Sequence, residues 1–271
     1  MDDLLKGWIE GLMGDNNFDV SSMVSQITMT PTNALGADFW STLLKIGASV
    51  VMPVALVILS YAMTAELYNV YCKTNGELDL QLVSATVFKF IFPWICITKT
   101  YDLLQLIFTY FNKLIIQIGV ALGTASIGKL TDAAALENQL AAMDFFGKFG
   151  LMMEMWPLWI IRKLMTLVIT VVVYGRIIEI VLYWVFAPIP FATIINSDFG
   201  DVGKNFIKMF IALLLQGGFM MLCVAIYSVL VKQHVFESSV NGLWVLMGFS
   251  AVLVVALVKS GSMAKRLLGT F

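Results

Sequence analysis

The sequence predicts an all-α membrane protein: a polytopic transmembrane helical bundle of about five spans with extra interfacial helices. Three observations carry this. Hydrophobic residues make up 59% of the 271 and charged residues 13%, with a mean hydropathy of +0.87, whereas a soluble domain runs nearer one-quarter charged. The apolar residues gather into runs of about 20, the helical length that crosses a hydrocarbon core. The alternating segments of roughly ten residues that mark a membrane β-barrel are missing.

Other features exclude function classes. A net charge of −1 and a pI near 5.8 leave no global basic field for nucleic acid. Cys72, Cys96 and Cys223 have no paired spacing, and with the lone His234 they offer neither a zinc site nor a disulfide framework. The start, Met1-Asp2-Asp3, lacks the basic and apolar regions of a cleavable leader, so the first span is expected to act as its own insertion signal.

Three parts follow in order: an outer amphipathic and polar segment at 1–41, a bundle at 42–258, and a cytoplasmic tail at 259–271. In residues 1–13, Leu4, Leu5, Trp8, Ile9, Leu12 and Met13 recur at helical spacing around Asp2, Lys6 and Glu10. That pattern fits a short helix lying in the interface or packed on the protein itself. Residues 14–38 are polar, with a turn signal at Thr30-Pro31-Thr32-Asn33. The first span lies near 44–65 and contains Pro53, tolerable where neighbouring helices satisfy the freed carbonyl. Residues 80–98 carry Lys89 in the middle and Pro93 beyond it, and read as a tilted interfacial or partly buried helix. The next span lies near 102–123, with Gly119 and Gly123 four apart. A polar loop with a short helix is expected at 124–148.

The segment at 155–190 is the most informative. An apolar stretch of this length, running on to Ile195, makes roughly 60 Å of helix against a hydrocarbon core of about 30 Å. Either it turns at Tyr174-Gly175-Arg176 as a hairpin, or it is one long helix ended by Pro188. The hairpin would need a turn with almost no polar residues, which favours the long helix. Two spans near 206–231 and 239–258 complete the set, the former holding Gln216-Gly217-Gly218 as a polar, small, interior-facing patch.

Basic residues orient the chain. With five spans and the N-terminus outside, the outer segments hold Lys6, Lys129, Lys148 and Lys232. The inner ones hold Lys73, Lys89, Lys99, Lys204, Lys259, Lys265 and Arg266. This obeys the positive-inside rule. The hairpin alternative puts the N-terminus inside and gives seven basic residues inside against five outside, so charge barely discriminates between the two models.

No catalytic, cofactor or metal site is expected. Gly200-Asp201-Val202-Gly203-Lys204-Asn205 has the wrong glycine spacing for a phosphate loop, and Asn205 stands where Ser or Thr is required. No nucleophile–base pair or intramembrane carboxylate pair appears, and the 16 methionines are not clustered with Cys or His. What remains are charges inside apolar runs, each costing about 2.5–3.5 kcal/mol on insertion scales. Arg176 and Glu179 are three apart and can pair on one helical face, either as a bundle-facing ion pair or as an anchor at the membrane boundary. Arg162 and Lys163 fit snorkelling side chains, and Lys208 fits an anchor at the mouth of its span.

Taken in order, several pieces carry a resemblance. They are the opening DDLLKGWIEGLM, Trp40 leading into a span with Pro53 that closes in AELYNVYCKTNG, FKFIFPW, Thr100-Tyr101-Asp102, YGRIIEIVLYWVFAPIPFAT and GKNFIKMFIALLLQG. Together they resemble the TrbL-type polytopic inner-membrane subunits of type IV secretion and conjugation machines, in their Gram-positive form. The resemblance implies a non-enzymatic channel or scaffold subunit of the cytoplasmic membrane, with its N-terminus outside and its C-terminus inside. It implies assembly with other conjugation-machine subunits and passage of a DNA–relaxase substrate. Homo-oligomerisation is expected from the resemblance and from the small and polar residues on the spans, and contact with membrane lipid from the spans themselves. Arg176, Glu179, Pro188, Pro190, Lys208 and Gln216 match the family-like pattern, and with Gly217 and Gly218 they are the structural and interface candidates. A small-solute or ion transporter is the competing reading, weakened by the lack of a visible inverted repeat. A membrane scaffold with no transported substrate is the third.

Overall fold

The computed structural model describes residues 20–73, 80–121, 145–194, 196, 200–233 and 240–270, and every regular element among them is helical. The helix expected over 1–13 lies outside these residues. So does the short helix expected within 124–148, apart from 145–148, which open a longer helix.

The polar stretch before the first span is helical where it is described: α1 (Val20–Ile27), α2 (Pro31–Leu35) and α3 (Ala37–Ile46). The expected turn at 30–33 is instead a helix start. Thr30 Oγ1 accepts the Asn33 N–H at 3.2 Å and Pro31 takes the first helical position, where its missing N–H costs nothing. After α3 the chain widens into a π-helical turn, Gly47–Val51, and continues as α4 (Met52–Lys73). The widening has a cause in the sequence. The Pro53 ring presses on the carbonyl four residues back, and the wide turn, in which the Met52 N–H reaches Gly47 O, makes room for it.

The next helices, α5 (Leu80–Thr98) and α6 (Thr100–Ala121), are separated by Lys99 alone. The backbone ladder bridges that break through Lys99 N–H to Ile95 O at 2.9 Å and Leu103 N–H to Lys99 O at 3.0 Å. Beyond it come α7 (Phe145–Phe186), α8 (Pro188–Thr193), α9 (Gly200–Gln233) and α10 (Val240–Leu267). Tyr174, Gly175 and Arg176 lie inside α7, so no hairpin turn occurs there. The last helix runs on through 259–267 and closes in a left-handed glycine. Gly269 has φ +62° and donates to Arg266 O, while the Thr270 N–H reaches Lys265 O.

By length and composition, six helices among the described residues can cross a membrane: Ala37–Lys73, Leu80–Thr98, Thr100–Ala121, Met155–Phe186, Gly200–Leu230 and Met247–Leu267. The sequence count of about five differs because it places 80–98 in the interface.

Contacts group the residues into two compact units. One comprises Met1–Met29, Lys113–Gly175 and Gln216–Met263; the other Thr30–Asn112, Arg176–Leu215 and Ala264–Phe271. The helices α6, α7, α9 and α10 contribute residues to both.

The first unit has a core of Met23 and Ile27 from α1, Ile115 from α6, Ile169 and Val173 from α7, Met220, Met221, Val224 and Tyr227 from α9, and Leu253 and Leu257 from α10. Here α9 and α10 run antiparallel. Tyr227 Oη lies 3.2 Å from Ser250 Oγ. Eleven residues earlier in α9 and eleven later in α10, Gln216 lies against Gly261. Lys163 Nζ sits 5.8 Å from the centroid of the Trp159 ring, a cation–π contact that holds the ammonium against α7.

The second unit is built around Trp184, which is fully buried. Its ring meets Trp40 edge-on at 5.2 Å, Phe108 at 5.6 Å and Phe210 at 6.2 Å between centroids. One indole therefore ties together α3, α6, α7 and α9. Phe206 extends the cluster, stacking with Tyr183 at 5.5 Å and meeting Phe191 of α8 edge-on at 5.7 Å. Such pairs add about 0.5–1.5 kcal/mol each beyond the area they bury. Helix α8 packs on both α4 and α5.

Candidate structural and interface site

The candidates fall on α7, α8 and α9. Arg176 is 5% exposed, and its Nε–H donates to the Leu213 carbonyl of α9 at 3.0 Å. The position follows from helix periodicity. Val173, Arg176, Ile177, Ile180 and Trp184 form the buried stripe of α7, so a residue at 176 must face the interior. A buried guanidinium needs acceptors, and a helix carbonyl has a second lone pair after its own ladder bond. Arg176 uses that lone pair to tie α7 to α9.

Glu179, three residues on, is exposed. The ion pair weighed from the sequence does not form: one helical step separates an inward guanidinium from an outward carboxylate. Spacing fixes which residues can meet on a helix, but it does not say which of the two faces a neighbouring helix.

The prolines act at a corner. Pro188 is buried at the first position of α8 and Pro190 follows two residues later, so α7 cannot continue in register past Ala187. The corner closes tightly onto the start of α9. A Cβ on Gly203 would stand 2.6 Å from Pro190 O, and one on Gly200 would stand 2.9 Å from Ile194 O. These glycines, set aside above as a failed phosphate loop, are there for close backbone approach. Asn196 is buried at the same corner, and its carbonyl accepts the Gly200 N–H at 2.9 Å.

Lys208 is exposed on α9, one turn beyond the surface ion pair of Lys204 with Asp201 at 3.4 Å. Gln216 and Gly217 are buried, whereas Gly218 is partly exposed and has open space where a Cβ would point. Gln216 lies flat on α10. A Cβ on Gly261 would stand 3.1 Å from its Nε2. Of the other small pair, Gly119 is buried and Gly123 lies outside the described residues.

Sequence reasoning missed several partners. The Leu213 carbonyl is main chain and carries no residue signal. Gly261, flanked by Ser260 and Ser262, and the Gly200/Gly203 pair were visible as small-residue positions. Gly47 was not seen as a contact either, although a Cβ there would collide with the Tyr101 hydroxyl. Among the described residues no group of three or more His, Cys, Asp or Glu is placed to hold a metal. What the arrangement does is join helices and present two charged groups, Glu179 and Lys208, on its surface.

A family described as TrbL/VirB6 plasmid conjugal transfer like protein matches residues 16–188. No curated protein and no solved structure matches the chain.

Proposed function

The chain belongs to the TrbL/VirB6 plasmid conjugal transfer family, and on that premise we propose that it is a channel or scaffold subunit through which a conjugation machine moves its DNA–protein substrate. Family membership makes it a multi-pass membrane subunit of a conjugal transfer apparatus, associated with other subunits of that machinery. The proposal adds three things: that the subunit is a homo-oligomer, that it meets the relaxase-bearing DNA in passage, and that it serves a Gram-positive type of machine in the cytoplasmic membrane. The observation that carries it is the buried Arg176 bound to Leu213. A charge kept inside the spans as a cross-helix tie suits a subunit that holds a shape. In-frame deletion of the gene should abolish plasmid transfer in mating assays, and the wild-type gene supplied in trans should restore it. Unchanged transfer from the deletion strain overturns the proposal.

We further propose that the N-terminus is outside, the C-terminus is cytoplasmic, and 80–98 lies at the cytoplasmic interface. The seven-to-four lysine and arginine bias over the segments named above supports the orientation. The exposed Lys89 and the breaks at Gly47–Val51 and Lys99, where the α4–α5 pair joins its neighbours, support the interfacial placement. With Cys72, Cys96 and Cys223 replaced, an impermeant thiol reagent applied to intact cells should label Asn17→Cys and spare Arg266→Cys. Labelling at both positions would fit six crossings with both ends outside, and would overturn this topology.

A further inference from the structure

We propose that the α4–α5 pair is a hinged arm, and that Tyr101 is the side chain that gains a partner when the arm moves.

The arm, residues 52–98, joins the rest of its unit through two interruptions. The way in is the wide turn at Gly47–Val51 and the way out is the break at Lys99. Gly47 lies against the Tyr101 hydroxyl, so the two interruptions sit side by side. Two breaks at one level make a hinge, whereas a single break would leave the other helix running through as a strut. Wide turns inside α-helices occur frequently at functional positions.

Both sides of the joint are built to open. Before the break, Thr98 Oγ1 donates to the carbonyls of Trp94 and Ile95 at 3.0 and 3.1 Å. Thr100 Oγ1 donates to those of Cys96 and Ile97 at 2.6 and 2.9 Å. Side-chain bonds of this kind bend helices, and they give four carbonyls a donor that does not depend on the ladder. In the wide turn, the Met52 N–H reaches Gly47 O. One step along in the same register, Ala48 O falls to residue 53, which is proline and has no N–H to give.

Tyr101 has the complementary need. Its hydroxyl is buried and meets no hydrogen-bond partner among the described residues. A buried donor left unpaired is costly. The carbonyl that Pro53 leaves without a ladder donor belongs to the residue next to the glycine that this hydroxyl touches. The two groups are the halves of one hydrogen bond that this position of the arm does not make. A small swing of the arm about Gly47 brings Ala48 O to the hydroxyl, and the structure holds one of the two positions.

The motion reaches the site described above. Helix α8 packs on both α4 and α5. It is also the short link between the end of α7 and the corner at Gly200 and Gly203. A swing of the arm therefore bears on the two helices that Arg176 ties through Leu213 O.

The experiment uses full-length protein in liposomes, with Cys72, Cys96 and Cys223 replaced. Spin labels are placed at Tyr68→Cys on α4 and Leu182→Cys on α7, both exposed positions, and pulsed electron–electron resonance measures the distance between them. Two distances are expected. Tyr101→Phe keeps the ring and removes the hydroxyl, and should lower the population that departs from the structure by about fivefold, the weight of one net hydrogen bond. Pro53→Ala returns an N–H to the wide turn and should lower the same population by satisfying Ala48 O from within the helix. Tyr101→Phe decides alone where Pro53→Ala fails to reach the membrane. A single distance in the wild type overturns the hinge. Two distances whose ratio Tyr101→Phe leaves unchanged mean that the hydroxyl only packs, and overturn its role in the movement.

Discussion

Gly47 and Tyr101 interlock: the glycine lies where any Cβ would strike the tyrosine hydroxyl. The contact occurs where the chain enters the α4–α5 pair through the π-helical turn and leaves it through the break at Lys99. Gly47→Ala should therefore destabilise by about 1–3 kcal/mol, the usual range for overpacking. Tyr101→Leu in the same chain should recover part of that loss. Thermal unfolding in mild detergent measures both, and a Gly47→Ala variant as stable as the wild type would refute the contact.

Arg176 and Glu179 point to different surroundings, so their substitutions should act independently. Arg176→Ala and Glu179→Ala are expected to add within about 0.5 kcal/mol, and exchanging the two residues should not recover function. Arg176→Met is the more telling variant. It removes the charge without stranding it, and Leu213 O keeps its ladder donor. Membrane level should stay near wild type while plasmid transfer falls by about tenfold or more. Normal transfer from Arg176→Met would reduce the guanidinium to filler.

The glycines divide by what stands where a Cβ would go. At Gly203 it is the Pro190 backbone, at 2.6 Å; at Gly175 and Gly218 nothing lies within 4 Å. Gly203→Ala should lose about 1–3 kcal/mol. Gly175→Ala and Gly218→Ala should gain up to about 1 kcal/mol from helix propensity. Detergent melting curves check the signs, and a destabilised Gly218→Ala would place a neighbouring subunit against that face.

Trp184 has a buried indole N–H that meets no acceptor among the described residues. Trp184→Phe thus loses packing but no hydrogen bond, and should cost about 1–2 kcal/mol, against about 3–5 for Trp184→Ala. Near-equal losses in the two variants would mean that the ring contacts with Trp40, Phe108 and Phe210 contribute little.

The fold was readable where one physical signal dominates. Apolar runs found the helices of span length, and Pro188 marked the end of α7 because a proline there cannot continue the ladder. The scarcity of polar residues for a turn around 174–176 favoured one long helix, and the structure has one. Residues 20–38 were harder. Their polarity and the turn signal at 30–33 spoke for a turn, while the Thr30 cap starts a helix there. The segment at 80–98 stays between two readings because its length and composition allow a span and Lys89 argues for the surface. At the site, spacing put Arg176 and Glu179 on one helical face and could not say that a neighbouring helix covers only the first of them. It could not find Leu213 O, since a backbone acceptor looks the same in every sequence, nor Gly261, which matters only once α10 lies against Gln216.

The π-helical turn sets the rotational phase of everything after it. Trp40, Gly47, Val51, Ala55, Leu59 and Ala62 are buried along α3, the wide turn and α4. In a regular helix, successive steps of four would carry that line steadily around the axis. The extra residue in the wide turn winds it back. Deleting one residue from 47–51 would restore regular winding but turn all of α4 by about 100°, swinging Ala55, Leu59 and Ala62 out of their packed positions. Here a loss of one residue should do more harm than most substitutions, because it shifts the angular setting of a whole helix at once.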